Sequence, residues 1–244
     1  MVTLGDVRRI DFGYFVEPAG QDGVQAPLVK PVVGYLVRRP DGYFLFDTGI
    51  GGGGGSYPEL DEHYRLQRWS LPHALATAGI SVDDVRWATN CHLHFDHCGG
   101  NPLLVGRPVY VQAGELATAR GHGDYTLPEL VAEDIGYEPV DGQAELLPGL
   151  FIVPTPGHVE GHQSLVVRCD DGTLICAGQS HVSSTAFTGD MLAMRARSDG
   201  LADPLPGYPG WLETLAAFDP ARVVFAHDLA VWEPATGQWT EPRR

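Results

Sequence analysis

Basic residues are scarce: Lys plus Arg number 16 against 31 Asp plus Glu in 244 residues, a formal net charge of −15 with an isoelectric point near 4.9. That deficit argues against a general nucleic-acid or membrane-surface binder, because both tasks need a basic face to meet phosphates. Cysteine is scarce too. Cys91, Cys98, Cys169 and Cys176 are too few and too irregularly spaced for a disulfide scaffold, and they suit a reduced compartment. No apolar run approaches the length of a membrane span, and none follows a basic start as a signal peptide requires, so a cytoplasmic protein is expected. No internal repeat is visible. What the chain does have is 43% hydrophobic residues with 31 Gly and 19 Pro, the composition of a globular protein with many turns between short strands.

The runs 32–39 and 43–46 are rich in β-formers and flank Pro40-Asp41-Gly42, which predicts a hairpin. The glycines 51–55 read as a loop within one domain, since about 45 preceding residues make a poor independent core. Helical patterns follow at 71–78, 113–120 and 211–218, and strand patterns at 85–89, 108–112, 151–154, 163–168, 173–176 and 222–226. Asp170-Asp171-Gly172 between two apolar runs signals a second hairpin. Strands outnumber helices and hairpins alternate with them, so a single α/β domain over residues 1–244, with mixed sheets covered by helices, is expected.

The most informative stretch is Asn90-Cys91-His92-Leu93-His94-Phe95-Asp96-His97-Cys98. If the chain leaves a strand in extended form, a period of two points His92 and His94 to one side and Leu93 to the core, while Asp96 and His97 come from the next turn. Imidazole and carboxylate suit Zn²⁺ in a hydrolytic site, and no paired cysteines compete. Two further histidines, His158 and His227, each follow a predicted strand, where a rigid sheet can hold a ligand in place. His162 lies in a Pro- and Gly-rich stretch and is assigned a supporting hydrogen bond; Cys91 and Cys98 are assigned apolar packing.

The succession YLVRRPDGYFLFDTG, NCHLHFDHCGGN, TPGHVEGHQSLVV and a final FAHD resembles the metallo-β-lactamase superfamily, and within it the N-acyl homoserine lactonase group. The resemblance implies a four-layer αβ/βα sandwich with a two-metal site at one edge. By position, His92, His94 and His158 would hold one metal, and Asp96, His97 and His227 the other. It also implies metal-dependent opening of a lactone or related ester by a small-molecule hydrolase, with Asp96 carrying protons; neither nucleic acid nor membrane is an expected partner, and oligomerisation stays open.

Two positions depart from that pattern. Gln179 stands where an aspartate bridging both metals is expected, and Ser180, His181, Val182 and Ser183 stand where a tyrosine is expected. Gln179 is counted with the metal ligands, and His181 is a candidate donor to the substrate carbonyl. Three outcomes follow: a two-zinc site with a weakened second ion, a one-zinc enzyme, or a metal-binding protein with little turnover. A thioesterase or other acyl hydrolase is the alternative among enzymes, since the metal chemistry is indifferent to the leaving group.

Overall fold

Residues 2–20, 25–51 and 58–234 are described by a computed structural model of the chain. Of the glycine run 51–55, all but Gly51 lie outside the described residues. One sheet has seven strands: β1 (Val7–Glu17), β2 (Leu28–Arg39), β3 (Gly42–Phe46), β4 (Gln67–Arg68), β5 (Val85–Thr89), β6 (Val109–Gln112) and β7 (Tyr137–Val140), in the order β4-β1-β2-β3-β5-β6-β7. The other has five: β8 (Ala144–Leu147), β9 (Leu150–Pro154), β10 (Gln163–Cys169), β11 (Gly172–Cys176) and β12 (Pro220–Val224), in the order β12-β11-β10-β9-β8. Six α-helices are described: α1 (Pro58–Tyr64), α2 (Leu71–Thr77), α3 (Phe95–Cys98), α4 (Ala113–Gly121), α5 (Ser184–Ser198) and α6 (Trp211–Ala216).

Alternation along the strands sorts side chains into layers. From β2 and β3, Val33, Tyr35, Val37, Phe44 and Phe46 face inward and meet Ile152, Leu165, Val167, Leu174 and Cys176 of the second sheet. The intervening residues face outward: Leu36 and Leu45 pack on Leu71, Ala74 and Leu75 of α2. Likewise Val153, Val166 and Ile175 turn away from the inter-sheet layer and pack on Phe187 of α5 and Leu212 and Leu215 of α6. Helices, sheet, sheet and helices therefore stack as the expected αβ/βα sandwich.

Both expected hairpins are present, with Arg39 paired to Gly42 and Cys169 to Gly172. Beyond the hairpins, β3, β5, β6 and β7 run parallel, as do β11 and β12. Parallel pairing places the carboxyl ends of several strands at one edge of each sheet, where crossovers leave a crevice.

Candidate metal centre

That edge receives a turn from each of five strands. β3 runs into Asp47, β5 into Asn90–His94, β9 into the loop with Thr155 and His158, β11 into Ala177-Gly178-Gln179, and β12 into His227. Leu93 is fully buried in the cluster around α4, and the rings of His92 and His94 lie 4.4 Å apart, as the period of two requires. α3 then presents Asp96 and His97, both buried.

Two sets of donors result. The nitrogens of His92, His94 and His158 can converge within 4.8 Å, with His94 Nδ1 3.2 Å from His158 Nε2. The second set is tighter. His97 Nε2 lies 3.1 Å from Gln179 Oε1, 3.2 Å from His227 Nε2 and 3.4 Å from Asp96 Oδ2. His227 Nε2 lies 3.2 Å from Gln179 Oε1 and 3.3 Å from Asp96 Oδ2. Ligands about 2.0–2.1 Å from a central ion at tetrahedral angles stand about 3.3–3.4 Å apart. These five separations therefore match five edges of one tetrahedron, with the amide oxygen of Gln179 at a vertex.

The hydrogen bonds behind these rings fix which nitrogen faces inward. His227 Nδ1 donates to the Pro31 carbonyl at 2.8 Å, and His97 Nδ1 donates to Asp47 Oδ2 at 3.0 Å, so each ring turns its Nε2 toward the centre. Asp47 also accepts from the Cys91 backbone N–H at 2.8 Å and sits at φ 61°, a conformation costly for a non-glycine residue. His92 Nε2 is buried without a hydrogen-bond partner, an orphan atom that a bound cation would satisfy. Burial, aided by the charge of His97, holds His92 well below its ordinary pKa, which keeps a lone pair available. Burial opposes a proton on His97, yet Cys91, Asp96 and Asp47 carry its pKa well above the ordinary value. Burial likewise opposes the Asp96 carboxylate, but His97 and a hydrogen bond from His227 outweigh it and hold its pKa low. The second set is thus built to receive positive charge, and both donor sets fit a metal.

His162 stands apart from the ligand atoms in its role. Its Nδ1 is 2.8 Å from Thr155 Oγ1 and its Nε2 accepts from the Gln179 backbone N–H at 3.0 Å, so it anchors the turn that presents Gln179. Gly178 makes that turn at φ 60°, and a Cβ there would lie 2.5 Å from Cys91 Cβ. Cys91 requires a correction: it packs in the inter-sheet layer, but its thiol also lies 3.2 Å from Asp47 Oδ2 and from His97 Nδ1, and burial pushes its pKa up to about 12. His181 also differs from expectation. Its Nε2 is 3.2 Å from Asp190 Oδ2 and its Nδ1 3.2 Å from Ser180 Oγ, so both nitrogens are engaged on the α5 side and neither is offered to the centre.

Three acidic residues were not singled out by spacing. Asp47 orients His97. Glu115 accepts from the Leu93 backbone N–H at 2.7 Å and from the Tyr125 hydroxyl at 2.6 Å, fixing the loop that carries His92 and His94. Glu17 lines a cleft of about 280 Å³ that opens over His94, Asp96, His158 and Gln179. The Asp47-Thr48-Gly49 turn after a predicted strand was a usable signal for the first; the other two carry none.

The sequence pattern of the metallo-beta-lactamase superfamily matches residues 28–227. An N-acyl homoserine lactonase of Bacillus sp is 31% identical over 154 residues, covering 57% of this chain and 59% of that protein's length. A probable metallo-hydrolase of Mycobacterium tuberculosis is 30% identical over 161 residues, covering 54% of this chain and 51% of its own length. Among solved structures, an N-acyl homoserine lactone hydrolase with N-hexanoyl-L-homoserine at its catalytic metal centre superposes with a TM-score of 0.70 at 23% identity, covering 94% of each chain. The dizinc quorum-quenching lactonase AidC superposes with a TM-score of 0.62 at 16% identity, covering 91% of this chain and 87% of its own.

Proposed function

The chain belongs to the metallo-beta-lactamase superfamily, and on that premise we propose that it is a zinc-dependent hydrolase that opens a lactone ring. The observation that carries the proposal is the tetrahedral spacing of Asp96, His97, Gln179 and His227 beside the orphaned nitrogen of His92. Histidine and carboxylate donors in that geometry suit zinc. The similarity to lactonases in sequence supports a cyclic ester as the substrate.

When bound, the metal supplies hydroxide at neutral pH and polarises the carbonyl under attack. His92, His94 and His158 would hold one ion, and Asp96, His97, Gln179 and His227 would hold the other. Asp47 and the Pro31 carbonyl keep His97 and His227 in the ligating tautomer. Asp96 lines the cleft with its side chain 9% exposed, so it can accept the proton released as water adds to the carbonyl and return it to the departing ring oxygen. The product is the open hydroxy acid. All four cysteines are unpaired, which supports a cytoplasmic setting.

Ring opening of a γ-lactone, followed by proton release, tests the proposal alongside hydrolysis of a matched acyl thioester, each with and without a chelator. The expected result is lactone turnover exceeding thioester turnover and lost on chelation. Faster thioester cleavage would move the protein to the acyl-hydrolase alternative, and no metal-dependent turnover of either would leave a metal-binding protein.

A further inference from the structure

The antiparallel register of β1 and β2 sets Phe15 opposite Lys30 and Glu17 opposite Leu28. Partners across a ladder and residues two apart share a sheet face, so Phe15, Glu17 and Lys30 project together. That face looks onto the metal centre. The Phe15 ring meets His227 edge-on at 5.4 Å, and Phe15 and Glu17 both line the cleft over the candidate ligands. Lys30 Nζ lies 2.6 Å from Glu17 Oε2, with the two side chains only 6% and 3% exposed.

A buried ion pair is a poor device for stability, because desolvating both charges offsets most of their attraction. Lys30 is also the one lysine in the sequence; every other Lys or Arg position holds arginine. A residue type absent from the rest of the chain is thus kept at one buried place beside the centre. Glu17 Oε2 is buried against Lys30, while the other carboxylate oxygen, Oε1, has no hydrogen-bond partner among the described residues, so the carboxylate keeps an accepting oxygen at the cleft wall. Leu60 and Phe95 contribute apolar surface to the same cleft.

We propose that Glu17 determines substrate specificity by accepting a hydrogen bond from an amide N–H or hydroxyl on the ring substituent of the lactone, with Lys30 as the positioning residue that holds the carboxylate in place. The proposal rests on the lactone-opening function above. A cleft of about 280 Å³ is at the small end of ligand sites, so the substituent is short.

The test compares two γ-butyrolactones on the zinc-loaded enzyme, one with an α-acetamido group and one in which CH₂ replaces its N–H. A hydrogen bond to a charged acceptor corresponds to a preference of about 10- to 100-fold in kcat/KM for the amide. Glu17→Leu with Lys30→Met removes both charges together, so no lone buried charge is left to unfold the chain, and the preference should fall to about one. A ratio taken within each protein cancels any general loss of turnover. Calorimetric binding of the two ring-opened hydroxy acids reads the same preference without turnover. Failure to open either lactone would therefore contradict the proposed function, while the binding ratio would still decide the role of Glu17. A wild-type preference near one, or an undiminished preference in the double variant, overturns the assignment.

Discussion

Gln179 changes the charge of the centre without vacating its place. Its amide oxygen lies 3.1 and 3.2 Å from the inward nitrogens of His97 and His227, and its backbone N–H is held by His162. The two donor sets together would then offer two dications Asp96 as the only carboxylate ligand. Unit charges about 4 Å apart interact by about 4 kcal/mol at an effective dielectric of about 20, whereas a modest packing change costs about 1–3 kcal/mol. The charge effect is the larger, so Gln179→Asp should bind the second zinc at least about tenfold more tightly, even though the side chain is one methylene shorter. Titration of the apo-protein against a chromophoric chelator reads this directly. Unchanged or weaker second-site affinity would mean that the placement of the oxygen outweighs its charge. At this scale the histidines were legible because a short chain segment fixes their spacing. Asp47, Glu115 and Glu17 were not, because each is an isolated acid in the sequence whose meaning comes from a partner 44, 22 or 13 residues away.

Among the elements, hairpins and buried strands were readable from turn residues and apolar runs, and β1 and α5 were not. A bulge between Asp11 and Gly13 shifts the alternation of β1, so Ile10 is buried before it, Phe12 within it and Phe15 and Glu17 after it, and no single period of two runs through the strand. α5 buries only Phe187 and Ala193 and therefore shows no apolar stripe; its start is fixed by Ser183 Oγ accepting from the Ala186 N–H. The loop between β9 and β10 carries its own test through His162, whose pKa burial pushes down to about 3 from 6.5. Below pH 6.5 the unfolded chain takes up a proton that the folded His162 refuses, so stability is full above that pH and declines as the pH falls toward 3. In thermal melts of the apo-protein, His162→Gln should flatten this decline. Equal slopes in both proteins would show that His162 is not the group refusing the proton.

At the level of the whole molecule, the acidic surface and the cation-seeking centre are separate features. The net charge of −15 is spread over the chain, while the groups that carry the proposed chemistry sit at the carboxyl edge of two stacked sheets. Mixed sheets covered by helices were legible from the strand, hairpin and helix patterns, whereas the four-layer sandwich came from the resemblance carried by the histidine motifs that fall just beyond strand ends. Everything proposed for the site depends on those donors holding an ion. Elemental analysis of the protein purified after growth with supplied zinc should find about one to two equivalents of zinc per chain, with the second the first to be lost to a chelator. Less than about a tenth of an equivalent of any first-row transition metal would contradict the metal centre and the lactone hydrolysis built on it.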